Sequence, residues 1–226
     1  MILPFTATAV AEALHTTLDR AAAAHDSATL AIPGGRSPGP VLTALARMCE
    51  PFLRDRLHLL WLDERAVALE HADRNDAPTL AAWRAGGPLP AHVHPMPAER
   101  ADLQAAAGDY AAVLAHATRG RPLDACLIGI GEDGHFASLF PGHAGLTELD
   151  PVFPVFDSPK PPSRRLTLSL GVIRESNLRV VLAFGAAKGA LVTRARAAQD
   201  PTLPCSLLPT DSVWFLDDAA TAAMDS

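Results

Sequence analysis

Apolar positions recur along the chain at two spacings, and the elements that they predict alternate between strands and helices. Residues 9–24 carry apolar side chains at helical spacing, from Val10 to Ala21, which predicts a first amphipathic helix. Nearly continuous apolar runs predict buried strands at residues 29–33, 57–62, 125–130, 178–184 and 213–217, and an alternating run predicts another at 164–170. Helical patterns lie between them, through Val41 and Leu45, through Leu80 and Trp83, from about 99 to 118, and after 185. This alternation predicts an α/β fold, with a largely parallel, doubly wound sheet and helices on both faces.

The length of the chain bounds its domain organisation. With 226 residues, 49% of them hydrophobic, the chain can bury one sizeable core, and a single domain over residues 1–226 is predicted. The proline-rich segment 143–163 is expected to be irregular, and a lid and a covering loop stay open as interpretations. The final residues of the chain are expected to fray.

Charge and cysteine content narrow the class of partner. A net charge of −6 and a pI near 5.8 do not favour binding to nucleic acid or to an anionic membrane, so the expected partner is a small molecule. Three widely spaced cysteines without a CxxC pair indicate reduced thiols in a cytoplasmic protein. No signal peptide or membrane span is visible. A monomer is expected, and a homodimer is left open.

Nine histidines raise the question of a metal site, and His92 and His94 are the closest pair. Prolines flank this pair in PAHVHPMP, and neither a carboxylate nor a third histidine follows at ligand spacing. We interpret the pair as solvated or hydrogen-bonded residues of a loop, and no metal is predicted.

The stretch DACLIGIGEDGHFASLFP, residues 124–141, has the pattern of a functional site. Its apolar start predicts a buried strand, which breaks into glycines and is followed by Asp133 and His135. In an open α/β sheet, ligands bind outside the carboxyl ends of the strands. A carboxylate and an imidazole at that position are therefore candidates for acid–base catalysis.

The same stretch matches the dinucleotide pattern GxGxxG, through Gly129, Gly131 and Gly134. That pattern binds a pyrophosphate through bare backbone N–H groups, but Glu132 and Asp133 would repel one here. The second strand that the motif requires is also missing, because five prolines interrupt residues 149–163. No cofactor is predicted.

Three further loops are expected at the same edge of the sheet. They carry Gly34, Gly35, Arg36 and Ser37 after the first strand, Asp63, Glu64 and Arg65 after the second, and Lys188 after the strand at 178–184. The first loop suits an anion, since glycines expose backbone N–H groups ahead of a helix, although an ordinary turn is an equal alternative. Taken alone, Lys188 also fits a solvated surface position. Together with His135, the four loops favour a phosphorylated small molecule and an attacking water, since no GxSxG elbow supplies a nucleophile.

The motif GIGEDGHFASLFPG resembles the signature of the 6-phosphogluconolactonases. The segments PGGRSP, WLDERAV, SPKPPSRRLTLSL and FGAAK and the closing LP-to-WFLD stretch resemble that family in the same order, and the likeness covers about residues 28–218. The resemblance implies a metal-independent hydrolase of the oxidative pentose phosphate pathway, which opens 6-phospho-D-glucono-1,5-lactone to 6-phospho-D-gluconate. It implies that His135 is the general base and that Asp133 supports it. Arg65 and Lys188 would bind the phosphate or sugar hydroxyls, and Arg165 would match the family's arginine before the TLSL strand.

The chain also departs from the family pattern. Pro33 and Arg36 stand where the first loop usually has small hydroxyl residues, so Arg36 is a candidate to replace their phosphate contacts. The related glucosamine-6-phosphate deaminases follow their DGH with an Asn-Glu pair, where this chain has Leu139 and Phe140. A module that only binds a sugar phosphate is the other alternative, but regulators of that kind need a basic DNA-binding segment, which the chain lacks.

Overall fold

Ten strands and eight helices make up the fold in the computed structural model, which describes residues 1–35 and 37–224. The strands are β1 (Ile2–Pro4), β2 (Ala28–Ile32), β3 (Leu57–Trp61), β4 (Asp63–Arg65), β5 (His92–His94), β6 (Ala125–Gly129), β7 (Val152–Val155), β8 (Arg165–Leu168), β9 (Leu178–Ala183) and β10 (Val213–Leu216). The helices are α1 (Ala7–His25), α2 (Gly39–Met48), α3 (Pro51–Arg54), α4 (Asp76–Arg84), α5 (Leu103–Thr118), α6 (Leu170–Glu175), α7 (Ala186–Ala197) and α8 (Asp218–Ala222).

Seven strands form one parallel sheet in the order β1-β10-β9-β6-β2-β3-β5, flanked by helices. From β2 the chain proceeds outward to β3 and β5, then returns to β6 on the other side of β2 and proceeds to β9 and β10. The direction of winding therefore reverses between β2 and β6, and such a switch point opens a crevice at the carboxyl ends of the strands. The predicted fold class is confirmed.

A second, antiparallel sheet of three strands, in the order β4-β8-β7, lies beyond the carboxyl end of β3. Leu62 joins the two sheets, since its N–H donates to Ile32 in β2 and its carbonyl accepts from Leu168 in β8. The interpretation of residues 63–65 as a loop is wrong, because they pair with β8. Residues 143–163 are not irregular throughout either, because β7 lies within them.

After β10, residues 218–222 form the short helix α8. The Asp217 carboxylate accepts from the Ala220 N–H at 2.8 Å and thereby caps the helix. Gly189 in α7 lets the two helices meet, since a Cβ at this position would lie 2.1 Å from the Ala220 carbonyl oxygen. Residues 225–226 lie outside the described part of the chain. No helix among residues 1–35 and 37–224 is long and apolar enough to cross a membrane.

The histidine pair 92/94 lies in the edge strand β5 rather than in a loop, because it pairs with β3. His94 Nε2 is 3.0 Å from His58 Nδ1, and the His58 ring stacks on both other imidazoles. Burial, with the neighbouring imidazoles adding to it, lowers the pKa of His58 to about 4. In the folded chain, His58 is therefore uncharged near neutral pH.

Acid is expected to weaken the fold through His58. Its folded pKa is depressed, so the unfolded chain binds the extra proton, and stability falls as the pH drops from about 6.5 to about 4. The loss attributable to this residue should be on the order of 1–3 kcal/mol. Urea unfolding at pH 8 and pH 5 measures it. His58→Gln should reduce the difference, whereas His25→Gln at the exposed end of α1 should not, and equal curves for both variants would contradict the assignment.

Candidate active site

A cleft of about 170 Å³ opens at the carboxyl ends of β2 and β6, where the winding reverses. Seven of the ten predicted site residues line it: Gly34, Gly35, Ser37, Asp63, Arg65, His135 and Arg165. Larger surface cavities, of about 260 and 460 Å³, exist elsewhere on the protein. The cleft is therefore distinguished by the residues that line it and not by its volume.

His135 lines the cleft, and its ring is paired with Asp133, which is not among the described lining residues. The Nδ1 atom of His135 bonds to Oδ1 of Asp133, and the His135 backbone N–H donates to the same oxygen at 3.3 Å. An ionised carboxylate can only accept, so the neutral imidazole donates from Nδ1 and keeps a lone pair on Nε2. Phe140 packs on the ring, with centroids 4.8 Å apart. His135 is thus fixed in the tautomer that a general base requires.

The protonation states of this pair suit base catalysis near neutral pH. Burial lowers the pKa of His135, and the Lys160 ammonium adds to the effect, while Asp133 opposes it. Partial burial favours the neutral form of Asp133, but the hydrogen bonds from His135 and Lys160 outweigh it and bring its pKa to about 2. A neutral imidazole therefore faces an ionised carboxylate.

Gly131 leaves the space that the imidazole occupies. A Cβ at this position would lie 2.1 Å from Cε1 and 2.2 Å from Nδ1 of His135. The Gly131 N–H also donates to the His135 carbonyl at 2.8 Å, which closes the turn between strand and base. The glycine that the dinucleotide pattern included thus makes room for a side chain rather than for a pyrophosphate.

Arg65 brings a guanidinium group to the cleft with unused donor capacity. Its Nη1 donates to the Asp73 carbonyl at 2.8 Å, which fixes the side chain. Its Nε is buried and has no hydrogen-bond partner within the described part of the chain. An unsatisfied buried donor costs about 1–3 kcal/mol, so a ligand oxygen at this point would be stabilised.

Asp63 and Arg165 both line the cleft, and both have polar partners within the chain. Asp63 Oδ2 accepts from Ser138 Oγ at 2.7 Å and lies 3.7 Å from Nη1 of Arg165. Arg165 is buried and donates to the carbonyls of Lys160 at 3.0 Å, Pro161 at 3.2 Å and Pro162 at 3.1 Å. Through these three hydrogen bonds, Arg165 holds the segment that carries Lys160 in place.

The first loop approaches the cleft through glycine backbone, as predicted. Gly35 has φ +88°, which few other residues adopt, and a Cβ on Gly34 would lie 1.8 Å from Asn75 Oδ1. Asn75 also donates to the Asp63 carbonyl at 2.9 Å and so joins this loop to β4. Arg36, predicted to bind phosphate, lies outside the described residues.

Glu64, the middle residue of the charged triplet, is buried and serves the backbone instead of the cleft. Its carboxylate accepts from the N–H groups of Arg65 at 2.7 Å, Asn75 at 2.8 Å and Asp76 at 3.0 Å. Arg74 lies 3.8 Å away. This network holds β4 against the start of α4, and thereby sets the positions of Arg65 and Asn75.

Lys188 is half-buried in the first turn of α7 and is not among the described residues that line the cleft. Burial lowers its pKa, Glu132 and Asp217 act in the opposite direction, and Lys160 adds to the lowering. It therefore lies on the side of Glu132 and Lys160, and its contact with the substrate stays a prediction.

Lys160 is not among the predicted site residues, although it contacts the His135–Asp133 pair. Lys160 Nζ lies 3.2 Å from Asp133 Oδ2 and 3.3 Å from His135 Nδ1. Lysine is rare in this chain, since it occurs only at positions 160 and 188, and this rarity is a signal that the sequence offers for Lys160. Among residues 1–35 and 37–224, no group of three His, Cys, Asp or Glu side chains is placed to hold a metal ion.

A parallel α/β protein with a histidine–aspartate pair and arginines at its switch point has the architecture of enzymes that act on small anionic molecules. Residues 5–215 match the family model of glucosamine-6-phosphate isomerases and 6-phosphogluconolactonase, and the chain belongs to this family. The resemblance seen in the motifs is thereby confirmed.

Individual relatives agree with this assignment. A 6-phosphogluconolactonase of Synechocystis is 34% identical over 215 residues, which cover 91% of this chain and 88% of that protein. The crystal structure of 6-phosphogluconolactonase from Thermotoga maritima is 25% identical, covers 96% of this chain and 98% of its own, and has a TM-score of 0.85. A monomeric glucosamine-6-phosphate deaminase is 18% identical, with a TM-score of 0.78 over 99% of this chain and 98% of its own, so the fold alone does not separate the two activities.

Proposed function

We propose that the chain hydrolyses 6-phospho-D-glucono-1,5-lactone to 6-phospho-D-gluconate in the oxidative pentose phosphate pathway of the cytoplasm. The observation that carries the proposal is that His135, whose ring is paired with Asp133, lines the same cleft as Arg65. The pair supplies a base for water, and the guanidinium supplies a donor for the phosphate or a sugar hydroxyl. Relatives named 6-phosphogluconolactonase support this assignment.

The chemistry requires one proton to move twice. His135 Nε2 takes a proton from water while the water oxygen bonds to the lactone carbonyl carbon, giving a tetrahedral intermediate. When the intermediate collapses, the bond to the ring oxygen breaks and the imidazolium returns the proton to that oxygen. Asp133 stays ionised throughout and stabilises the imidazolium. The acid product then loses its own proton to solvent.

The deaminase alternative is disfavoured by the residues that follow the base. Leu139 and Phe140 are both buried, and the Phe140 ring stacks on His135. An aromatic ring thus occupies the position at which the deaminases have the glutamate that helps to open the sugar ring. A carboxylate placed there would be buried against the imidazole at a substantial cost in free energy.

A two-substrate assay separates the alternatives. The purified chain is mixed with freshly made 6-phosphogluconolactone, and separately with glucosamine 6-phosphate, and acid release and ammonia release are followed. We expect acid release above the spontaneous rate and no ammonia. Ammonia release would establish the deaminase, and binding of either sugar phosphate without turnover would establish the binding module.

Arg65→Met tests the phosphate contact. A charge-assisted hydrogen bond is worth about 1.5–3 kcal/mol, so kcat/KM for the phosphorylated lactone should fall roughly 10- to 150-fold. Hydrolysis of unphosphorylated gluconolactone should be nearly unchanged. Arg84→Met, at an exposed position of α4, is the matched control. Equal losses on the two lactones would assign Arg65 to structure or to the chemical step.

A further inference from the structure

The composition of the basic residues first draws attention to Lys160. Of the 19 lysine and arginine residues, 17 are arginine, and the two lysines are Lys160 and Lys188. Lysine offers a compact, strongly hydrated point charge, whereas arginine presents a broad planar fork. The lysine ammonium at position 160 lies 3.2 Å from Asp133 Oδ2, a contact that suits a point charge, and 3.3 Å from His135 Nδ1, whose proton is donated to Asp133.

The backbone around Lys160 is fixed by several hydrogen bonds. Its carbonyl accepts from Ser158 Oγ at 2.8 Å and from Arg165 Nη2 at 3.0 Å, and its N–H donates to Ser158 Oγ at 3.3 Å. The Ser158 N–H donates to the Ser163 carbonyl at 2.9 Å and closes the segment. Lys160 therefore extends from an anchored main chain toward Asp133, and it is not among the described residues lining the cleft.

We propose, building on the hydrolase function above, that Lys160 is a positioning residue that holds Asp133 Oδ2, so that Oδ1 stays on His135 Nδ1 and Nε2 stays available as the base. The two carboxylate oxygens then have separate partners, with Lys160 at 3.2 Å from one and His135 on the other. Without the ammonium, the carboxylate is held only through Oδ1, by the ring and the backbone N–H of His135, so the orientation of the imidazole is less firmly fixed.

The ammonium also sets the pH range in which the base works. The charged groups that act on His135 are Asp133 and Asp63, which favour the imidazolium, and Lys160, which disfavours it. Removing only the positive charge leaves the two carboxylates unopposed, so the pKa of His135 should rise. Because the unprotonated imidazole is the active form, the acidic limb of the rate profile should move to higher pH.

Lys160→Met and Lys160→Arg provide the test, since the first removes the charge at similar length and the second keeps it. We expect the acidic limb of kcat/KM to move upward by about one pH unit in Lys160→Met, as for loss of one charge at this distance in a partly solvated site. At pH 6, kcat should fall roughly tenfold with little change in KM. Lys160→Arg should restore the position of the limb, at least in part.

Two controls separate this role from others. Arg164→Met, on the same segment but with an exposed side chain, should leave the profile unchanged. Unphosphorylated gluconolactone should show the same displacement as the phosphorylated substrate. A loss confined to KM of the phosphorylated lactone would instead make Lys160 a phosphate ligand, and an unmoved limb in Lys160→Met would overturn the proposal.

A titration without turnover distinguishes failure of this inference from failure of the proposed hydrolase function. The NMR signals of His135, assigned through His135→Gln, give its pKa and tautomer directly. We expect Lys160→Met to raise the pKa and to populate the second tautomer, whichever substrate the chain turns over. An unchanged titration in a folded variant would refute the positioning role, even if the lactone is hydrolysed.

Discussion

Replacing His135 by alanine is expected to lower kcat for lactone opening by roughly 10²- to 10⁴-fold, with KM changed only slightly. In the proposed mechanism the imidazole acts on the attacking water, and other residues of the cleft bind the substrate. Its Nδ1 is engaged by Asp133, so Nε2 is the base that the variant lacks. Initial rates over a range of lactone concentrations, corrected for spontaneous opening, measure both constants.

The chain offers a matched control for this variant. His143 also pairs with a carboxylate, at 2.8 Å from Asp157, but it is not among the described residues that line the cleft. His143→Ala should therefore keep kcat within a few-fold of the original value. If both histidine variants lose activity equally, or if folded His135→Ala turns over normally, His135 is not the base.

Gly131→Ala should reduce activity by roughly 10²-fold or more, although it adds only one methyl group. The new Cβ would overlap the imidazole, 2.1 Å from its Cε1 atom, so the ring must move away from Asp133 or from the substrate. A displacement of about 1 Å in a catalytic geometry can cost about 10²-fold in rate. The measurement is kcat at saturating lactone, alongside a thermal unfolding curve.

Gly108→Ala is the control for this substitution. It lies at an exposed position of α5, is not among the described residues that line the cleft, and a Cβ there would have no atom within 4 Å. We expect it to retain most of the activity, since the added methyl group meets neither the imidazole nor the cleft. Equal activity of the two variants would show that the imidazole does not depend on the space beside Gly131.

The central sheet could be predicted from local pattern because its strands are buried on both faces. β2, β3 and most of β6 are fully buried, and such strands appear in the sequence as continuous apolar runs. The second sheet could not be predicted in the same way. Residues 63–65 are all charged, and they form a strand only because β8, a hundred residues later, pairs with them.

In the candidate site, too, some contacts join residues that are close in sequence and others join residues that are far apart in sequence. His135 and Asp133 are two residues apart, so their pairing follows from one motif and from the position of that motif after a strand. Lys160 reaches the pair from another loop, and nothing within the segment 143–163 indicates that contact. Arg165 matches the family's arginine before the TLSL strand, and its guanidinium donates to three backbone carbonyls, which no linear pattern reveals.

The rate at which freshly generated 6-phospho-D-glucono-1,5-lactone disappears, measured at several concentrations of the chain, tests the central claim most directly. We expect the rate above the spontaneous background to rise in proportion to protein concentration, with 6-phospho-D-gluconate as product, and to be nearly abolished when His135→Ala replaces the original chain. A rate equal to that of buffer at every protein concentration would contradict the account.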